Sequence, residues 1–205
     1  MSKVKICGLS RMEDIIAVNK ALPDYIGFVF APSRRQVDER TAAALKERLD
    51  TRITAVGVFV NEKAEIAANL YRGGVIDMVQ LHGGEDSDYV ARLKDLCGCP
   101  VIKAIGIGHV LPLLTDKPDY LLFDTLSEQR GGTGKAFNWG VLSGFNGLPY
   151  FLAGGLTAAN VTEAITLLSP FCVDVSGGVE TDGLKDARKI NEFVRLVKTP
   201  SAQRK

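Results

Sequence analysis

The sequence holds only two histidines and one tryptophan among its 205 residues. With no carboxylates spaced around those histidines, no metal centre is expected. No apolar run approaches the ~18–20 residues that a membrane span needs, so no membrane partner is expected. The N-terminus reads Met1-Ser2-Lys3-Val4-Lys5 and lacks the long apolar run of a secretory leader. The four cysteines, Cys7, Cys97, Cys99 and Cys172, lack the paired spacing of a zinc site, and Cys97-Gly98-Cys99 is too tight for a zinc knuckle. Free thiols in a reducing, cytoplasmic setting are the expectation. Charge of one sign is also lacking. Twenty-five basic residues face 24 acidic ones, for a net charge of +1. No basic surface for nucleic acid is therefore expected. A local anion pocket stays compatible with that balance, because net charge describes no single site.

What is present is a chain that can bury a core, with 46% hydrophobic residues. Its length fits one domain and sits near the lower limit for an eight-fold βα barrel. Short β-rich runs recur at 4–7, 25–31, 54–60, 78–82, 101–105, 120–124, 150–153 and 172–176. Helical periodicity fills the spaces at 12–21, 40–49, 64–70, 89–96, 161–168 and 187–197, with weaker candidates at 107–115 and 137–145. Alternating strands and helices imply parallel βαβ units. The even repeat favours a closed parallel (β/α)8 barrel over an open sheet, as do polar residues after nearly every strand. The expected layout is one barrel domain over 1–198 and a polar tail over 199–205.

In such a barrel the active site lies at the carboxyl ends of the strands. Those ends offer Cys7-Gly8, Ser33-Arg34-Arg35, Asn61, His82-Gly83, Asp124-Thr125, Gly154-Gly155 and Ser176-Gly177-Gly178-Val179-Glu180. The last two loops carry the phosphate signal. Glycine lets backbone approach a ligand, and N–H groups at a helix start favour anions. Here Gly154-Gly155 precedes Thr157, which could cap a helix starting near Ala158, and Gly177-Gly178 could open a short extra helix. Tight turns alone would explain either pair; both pairs together favour phosphate.

Strand parity sharpens the picture at Cys7. Val4 and Ile6 should face the helices, so Lys5 and Cys7 point inward. Asp174 and Ser176 point inward from the last strand by the same alternation. A buried Lys5–Asp174 pair beside Cys7 follows, because an inward charge needs a partner, and the ammonium would favour the thiolate. Asp124 ends an apolar strand; it is either an acid holding a proton for donation, or a helix N-cap or solvated loop residue. His82 either meets the ligand or is a satisfied structural histidine. His109 receives no role. The run Gly131-Gly132-Thr133-Gly134-Lys135 fails the P-loop pattern and reads better as a lid. Gly106-Ile107-Gly108 fails as a dinucleotide fingerprint, since Leu111 holds the third glycine position.

Taken in order, several segments resemble the phosphoribosylanthranilate isomerase family. They are Lys5-Ile6-Cys7-Gly8-Leu9, Gly27-Phe28-Val29-Phe30, Val56-Gly57-Val58-Phe59-Val60-Asn61 and Val79-Gln80-Leu81-His82-Gly83. Asp124-Thr125, residues 131–135, Ala153-Gly154-Gly155-Leu156 and Val173-Asp174-Val175-Ser176 continue the series. The resemblance implies an Amadori rearrangement in tryptophan biosynthesis. N-(5-phosphoribosyl)anthranilate would become 1-(2-carboxyphenylamino)-1-deoxyribulose 5-phosphate. It implies Cys7 as general base and Asp124 as general acid, with no metal, nucleotide or flavin cofactor. It implies Arg35 on the anthranilate carboxylate, with Arg34 open because the register is loose by one residue. It implies a phosphate grip by Gly154, Gly155, Ser176, Gly177 and Gly178, and His82, at the same mouth, is expected among the substrate-binding residues. Gly177 stands where the family usually has a second serine; a backbone N–H can still donate there.

Two other readings share the fold. Another barrel isomerase or epimerase acting on a phosphosugar would want a metal or paired carboxylates. A non-catalytic phosphometabolite-binding barrel would tolerate Cys7→Ser. The expected partner is a small phosphorylated substrate, in a monomer or homodimer.

Overall fold

Residues 1–108, 118–125 and 138–199 are described by a computed structural model of the chain. Eight parallel strands close into a barrel in chain order. They are β1 (Lys3–Cys7), β2 (Tyr25–Val29), β3 (Thr54–Phe59), β4 (Met78–Leu81), β5 (Val101–Ile107), β6 (Tyr120–Thr125), β7 (Tyr150–Leu152) and β8 (Cys172–Val175). Closure runs through the β1–β8 ladder, in which Lys5 is the register partner of Asp174. Among the described residues six α-helices cover the outside: α1 (Met12–Ala21), α2 (Glu39–Lys46), α3 (Ala64–Arg72), α4 (Ser87–Cys97), α5 (Val161–Leu168) and α6 (Ala187–Lys198).

Strand alternation divides the core in two. Val4, Ile6, Ile26, Phe28, Val79, Phe123 and Val173 face outward and pack under the helices. Tyr25, Val56, Met78, Ile102, Leu122, Phe151 and Cys172 face inward and fill the barrel. The interior is therefore a packed layer of side chains, with Lys3 against Tyr25 below it and the polar groups of the mouth above. The helices show why they form where they do. Asp186 caps α6 by accepting from the Arg188 and Lys189 N–H groups, and Ile190, Phe193, Val194 and Val197 recur on its buried face. Asp86 caps α4 through the Tyr89 N–H, and Gly98 ends it in the left-handed region.

Several boundaries differ from the sequence expectation. Strands β5 and β6 run on to Ile107 and Thr125, because their ladder stays paired to that point. Ile107 thus ends a strand instead of opening a helix over 107–115, and 109–117, including His109, lies outside the described residues. Among the described residues of 137–145 only a 3-10 turn forms, Trp139–Leu142, where Gly140 and Gly144 weaken helix propensity. Thr157 does not cap α5; that place belongs to Asn160. Asn160 Oδ1 accepts from the Thr157 N–H and its Nδ2 donates to the Gly155 carbonyl, tying a turn that delays the helix. The glycine run 131–135 and residues 200–205 of the tail also lie outside the described residues.

Candidate active site

The barrel floor beneath the mouth is charged. Lys5 is fully buried and its Nζ donates to Asp174 Oδ2 at 2.9 Å, as the parity of β1 and β8 requires. Burial alone would push the Lys5 ammonium down, but Asp174 and Cys7 outweigh it and the group is held above its ordinary value. Cys7 stands one inward position higher and keeps partial exposure. Burial pushes its thiol up, Lys5 pulls it down, Asp174 adds to the rise and Lys185 opposes it. The net shift is upward. Lys5 favours the thiolate, as expected from its place beneath Cys7, and desolvation outweighs that pull.

Across the mouth, β6 presents Asp124. The Thr125 N–H donates to Asp124 Oδ1 at 2.7 Å, and His82 Nε2 lies 3.5 Å from Oδ2. Each of these two side chains is about a quarter exposed, 24% for His82 and 23% for Asp124. Behind His82, buried Gln80 brings its Nε2 to 2.9 Å from His82 Nδ1. The His82 ring is thus held between Gln80 at its Nδ1 edge and Asp124 at its Nε2 edge.

Two further clusters frame the mouth, and sequence reasoning assigned neither. Glu85 and Lys103 form a buried pair at 3.0 Å. Glu85 also accepts from the Asn61 and Gly83 N–H groups, and Lys103 donates to the Gly83 carbonyl. This ties the loop that carries His82 to the segment just after β3 and to the body of β5. On the other side, Glu180 accepts from Arg34, Arg35 and Lys185. Arg35 and Lys185 hold its carboxyl at about 2 against the rise that burial alone would cause. Glu180 and Lys185 sit on a hairpin of β9 (Glu180–Thr181) and β10 (Leu184–Lys185), a feature with no apolar periodicity to announce it. The Asp182-Gly183 turn between the two strands, both residues at positive φ, was its signal.

The two glycine loops meet. Gly154 and Gly155 both adopt left-handed backbone, with φ of 87° and 66°. A side-chain carbon on Gly154 would stand 2.4 Å from Thr125 Oγ1 and 3.1 Å from Asp124 Oδ1. Gly177 opens a 3-10 turn, Gly177–Val179, directly after Ser176. Ser176 Oγ donates to the Cys7 carbonyl at 3.0 Å, and the buried Lys185 Nζ reaches the Ser176 carbonyl at 3.0 Å. Cys7, Arg35, His82, Asp124, Gly154, Gly155, Ser176, Gly177 and Gly178 thus all lie at the carboxyl end of the barrel. Among the described residues no group of three metal-ligating side chains is clustered, and no helix is long and apolar enough to cross a membrane.

A closed parallel barrel that gathers its ionisable side chains around one mouth is built as the (β/α)8-barrel enzymes are, and this chain is one of them. Residues 4–196 match the sequence profile of N-(5'-phosphoribosyl)anthranilate (PRA) isomerase, and the chain belongs to that family. It is 48% identical over 200 residues to the N-(5'-phosphoribosyl)anthranilate isomerase of Endomicrobium trichonymphae, covering 97% of this chain and 100% of that protein. Among solved structures it is similar to a phosphoribosyl anthranilate isomerase in complex with reduced 1-(o-carboxyphenylamino)-1-deoxyribulose 5-phosphate. That likeness has a TM-score of 0.81 and 30% identity, over 97% of this chain and 99% of the other. It is equally similar, at TM-score 0.81 and 31% identity over 97% and 99% of the two chains, to monomers generated from the dimeric isomerase of Thermotoga maritima.

Proposed function

We propose that the mouth isomerises N-(5-phosphoribosyl)anthranilate to 1-(2-carboxyphenylamino)-1-deoxyribulose 5-phosphate with Cys7 as base and Asp124 as acid. The observation that supports these roles is their placement: thiol and carboxylate end the inward faces of β1 and β6, three strands apart around the closed barrel. Asp124 protonates the ribose ring oxygen, and the nitrogen lone pair opens the ring to a Schiff base. Cys7, as thiolate, removes the proton from the adjacent sugar carbon. The enolamine then tautomerises to the ketone. Each transfer contributes roughly 10²–10⁴-fold. His82, with its Nε2 edge toward Asp124, orients that carboxylate and borders the bound substrate. Lys5 and Lys185 are the cations available to the thiolate form of Cys7.

The loops at Gly154-Gly155 and Ser176-Gly177-Gly178 receive the phosphate on backbone N–H groups. Lys185, buried against Ser176, adds positive charge there. Arg35 takes the anthranilate carboxylate in preference to Arg34. Its side chain is 18% exposed and turned into the mouth, whereas that of Arg34 is 60% exposed. We read the chain as one barrel domain over 1–198, acting in the cytoplasm on the tryptophan pathway, without cofactor or nucleic-acid partner, as a monomer or homodimer.

The test is a steady-state assay with freshly prepared phosphoribosylanthranilate, following loss of its fluorescence. Wild type should turn over, and Cys7→Ser and Asp124→Asn should each lose at least ~100-fold in kcat. A Cys7→Ser variant with undiminished kcat would remove the base role. A folded wild type without turnover would favour a phosphometabolite-binding barrel.

A further inference from the structure

Arg35 is held more firmly than a surface arginine needs to be. Its stem crosses the end of β1 at Gly8, whose φ is 82°. A side-chain carbon there would stand 2.4 Å from Arg35 Cδ, so only glycine leaves the stem its path. Its head is clamped from the side. Nε donates to Glu180 Oε1 at 2.7 Å and Nη2 to Oε2 at 3.0 Å. Glu180 is itself almost fully buried, at 5% side-chain exposure, and its Oε1 is shared with the buried Lys185 at 2.7 Å. A guanidinium has two edges that match a carboxylate. The side-on edge, Nε with one Nη2 hydrogen, is spent on Glu180. The end-on edge, Nη1 with the other Nη2 hydrogen, has no partner among the described residues.

We propose that Glu180 is a specificity-determining positioning residue, which fixes Arg35 side-on so that its end-on edge meets the carboxylate of an N-aryl substrate. Three cations around one anion leave the cluster a net charge of +2, so the clamp does not cancel the attraction for an anionic ligand. The arrangement also spares the ligand the entropy of ordering a long side chain, because Arg35 is already ordered. The proposal rests on the reading that Arg35 receives the substrate carboxylate, and the experiment separates the two.

Steady-state kinetics are measured for wild type, Glu180→Gln and Arg35→Lys on two substrates: N-(5-phosphoribosyl)anthranilate and N-(5-phosphoribosyl)aniline, which lacks only the carboxylate. Wild type should favour the carboxylate substrate. Glu180→Gln should raise KM for it by roughly 10- to 100-fold, with kcat changed by less than ~3-fold, and should leave KM for the aniline within ~2-fold. Equal losses on both substrates would overturn the proposal, since Glu180 would then act through Lys185 and Cys7 or through the fold. So would a silent Glu180→Gln alongside a carboxylate-selective Arg35→Lys. If wild type and Arg35→Lys treat both substrates alike, the carboxylate role of Arg35 falls, and the proposal with it. Should Glu180→Gln fail to fold, Glu180→Asp keeps the charge but shortens the reach. The same carboxylate-selective rise in KM is then expected, and its absence overturns the proposal.

Discussion

Lys5 and Asp174 show what a single pair of residues can do inside a barrel. Neither charge is tolerable there alone, and together they replace an apolar layer beneath Cys7. Asp174→Asn would leave the fully buried Lys5 without its counter-charge. Breaking such a pair commonly costs about 3–5 kcal/mol. Urea unfolding of Asp174→Asn should show a loss of that size, and a loss under ~1 kcal/mol would mean that the ammonium finds another partner. The double change Lys5→Met with Asp174→Leu should recover most of it, because a packed apolar pair of similar volume restores the layer. The pair was legible in the sequence, since strand parity and barrel closure bring positions 5 and 174 together. The balance on Cys7 was not: the pull of Lys5 could be read from its neighbourhood, but desolvation depends on how completely the surrounding strands cover the thiol.

At the scale of elements, the mouth depends on loops tied to one another across the barrel. The Glu85–Lys103 pair joins the loop after β4 to β5 and, through the Asn61 N–H, to the segment just after β3. Burial would raise the Glu85 carboxyl; the Asn61 N–H and Lys103 overcome this and hold it below its ordinary value. Lys103→Met should therefore strand a buried carboxylate, lowering stability by about 3 kcal/mol. It should also loosen His82 opposite Asp124. Expected together are a lower denaturation midpoint, faster amide exchange at residues 82–84 and reduced kcat. Protection unchanged at those amides would show that the clasp does not hold the loop. Strand and helix positions were largely legible, because β1 to β8 and α1 to α6 carry regular apolar periods. The β9–β10 hairpin was not. It is two residues a side, with no alternation to detect, and what orders it is Glu180 and Lys185 meeting Arg35 and Ser176 from distant parts of the chain.

For the whole molecule, the buried ionisable groups set the pH range of stability. Glu180 titrates at about 2 when folded, against an ordinary value of 4.5. The unfolded chain therefore takes up that proton first. Its contribution is present in full above 4.5 and is lost as pH falls toward 2. On the alkaline side, burial first, with Asp174 adding to it, lifts Cys7 and Cys172 above their ordinary 9.0. There the unfolded thiols ionise first, so stability is full below 9.0 and declines as pH rises through it. Denaturant midpoints across pH should form a plateau with these two shoulders. In Glu180→Gln the acid shoulder should shrink while the alkaline one stays; an unaltered acid shoulder would show that other carboxylates carry it.

The sequence by itself determined the class of fold and which residues stand at the strand ends. Apolar period specifies which segments are strands and helices. Alternation specifies which strand residues face inward, and closure places every strand end at one mouth, with Cys7, Asp124, His82 and Arg35 among them. These are local properties, repeated along the chain, and they survive being read one residue at a time. Only the tertiary structure decided how those groups are paired and charged. Gln80 stands behind His82, Glu180 clamps Arg35, and the thiol of Cys7 is lifted by burial despite two nearby ammoniums. The Arg35–Glu180 clamp joins segments 145 residues apart, and desolvation depends on every strand around the thiol, so no local pattern records the distances on which either depends.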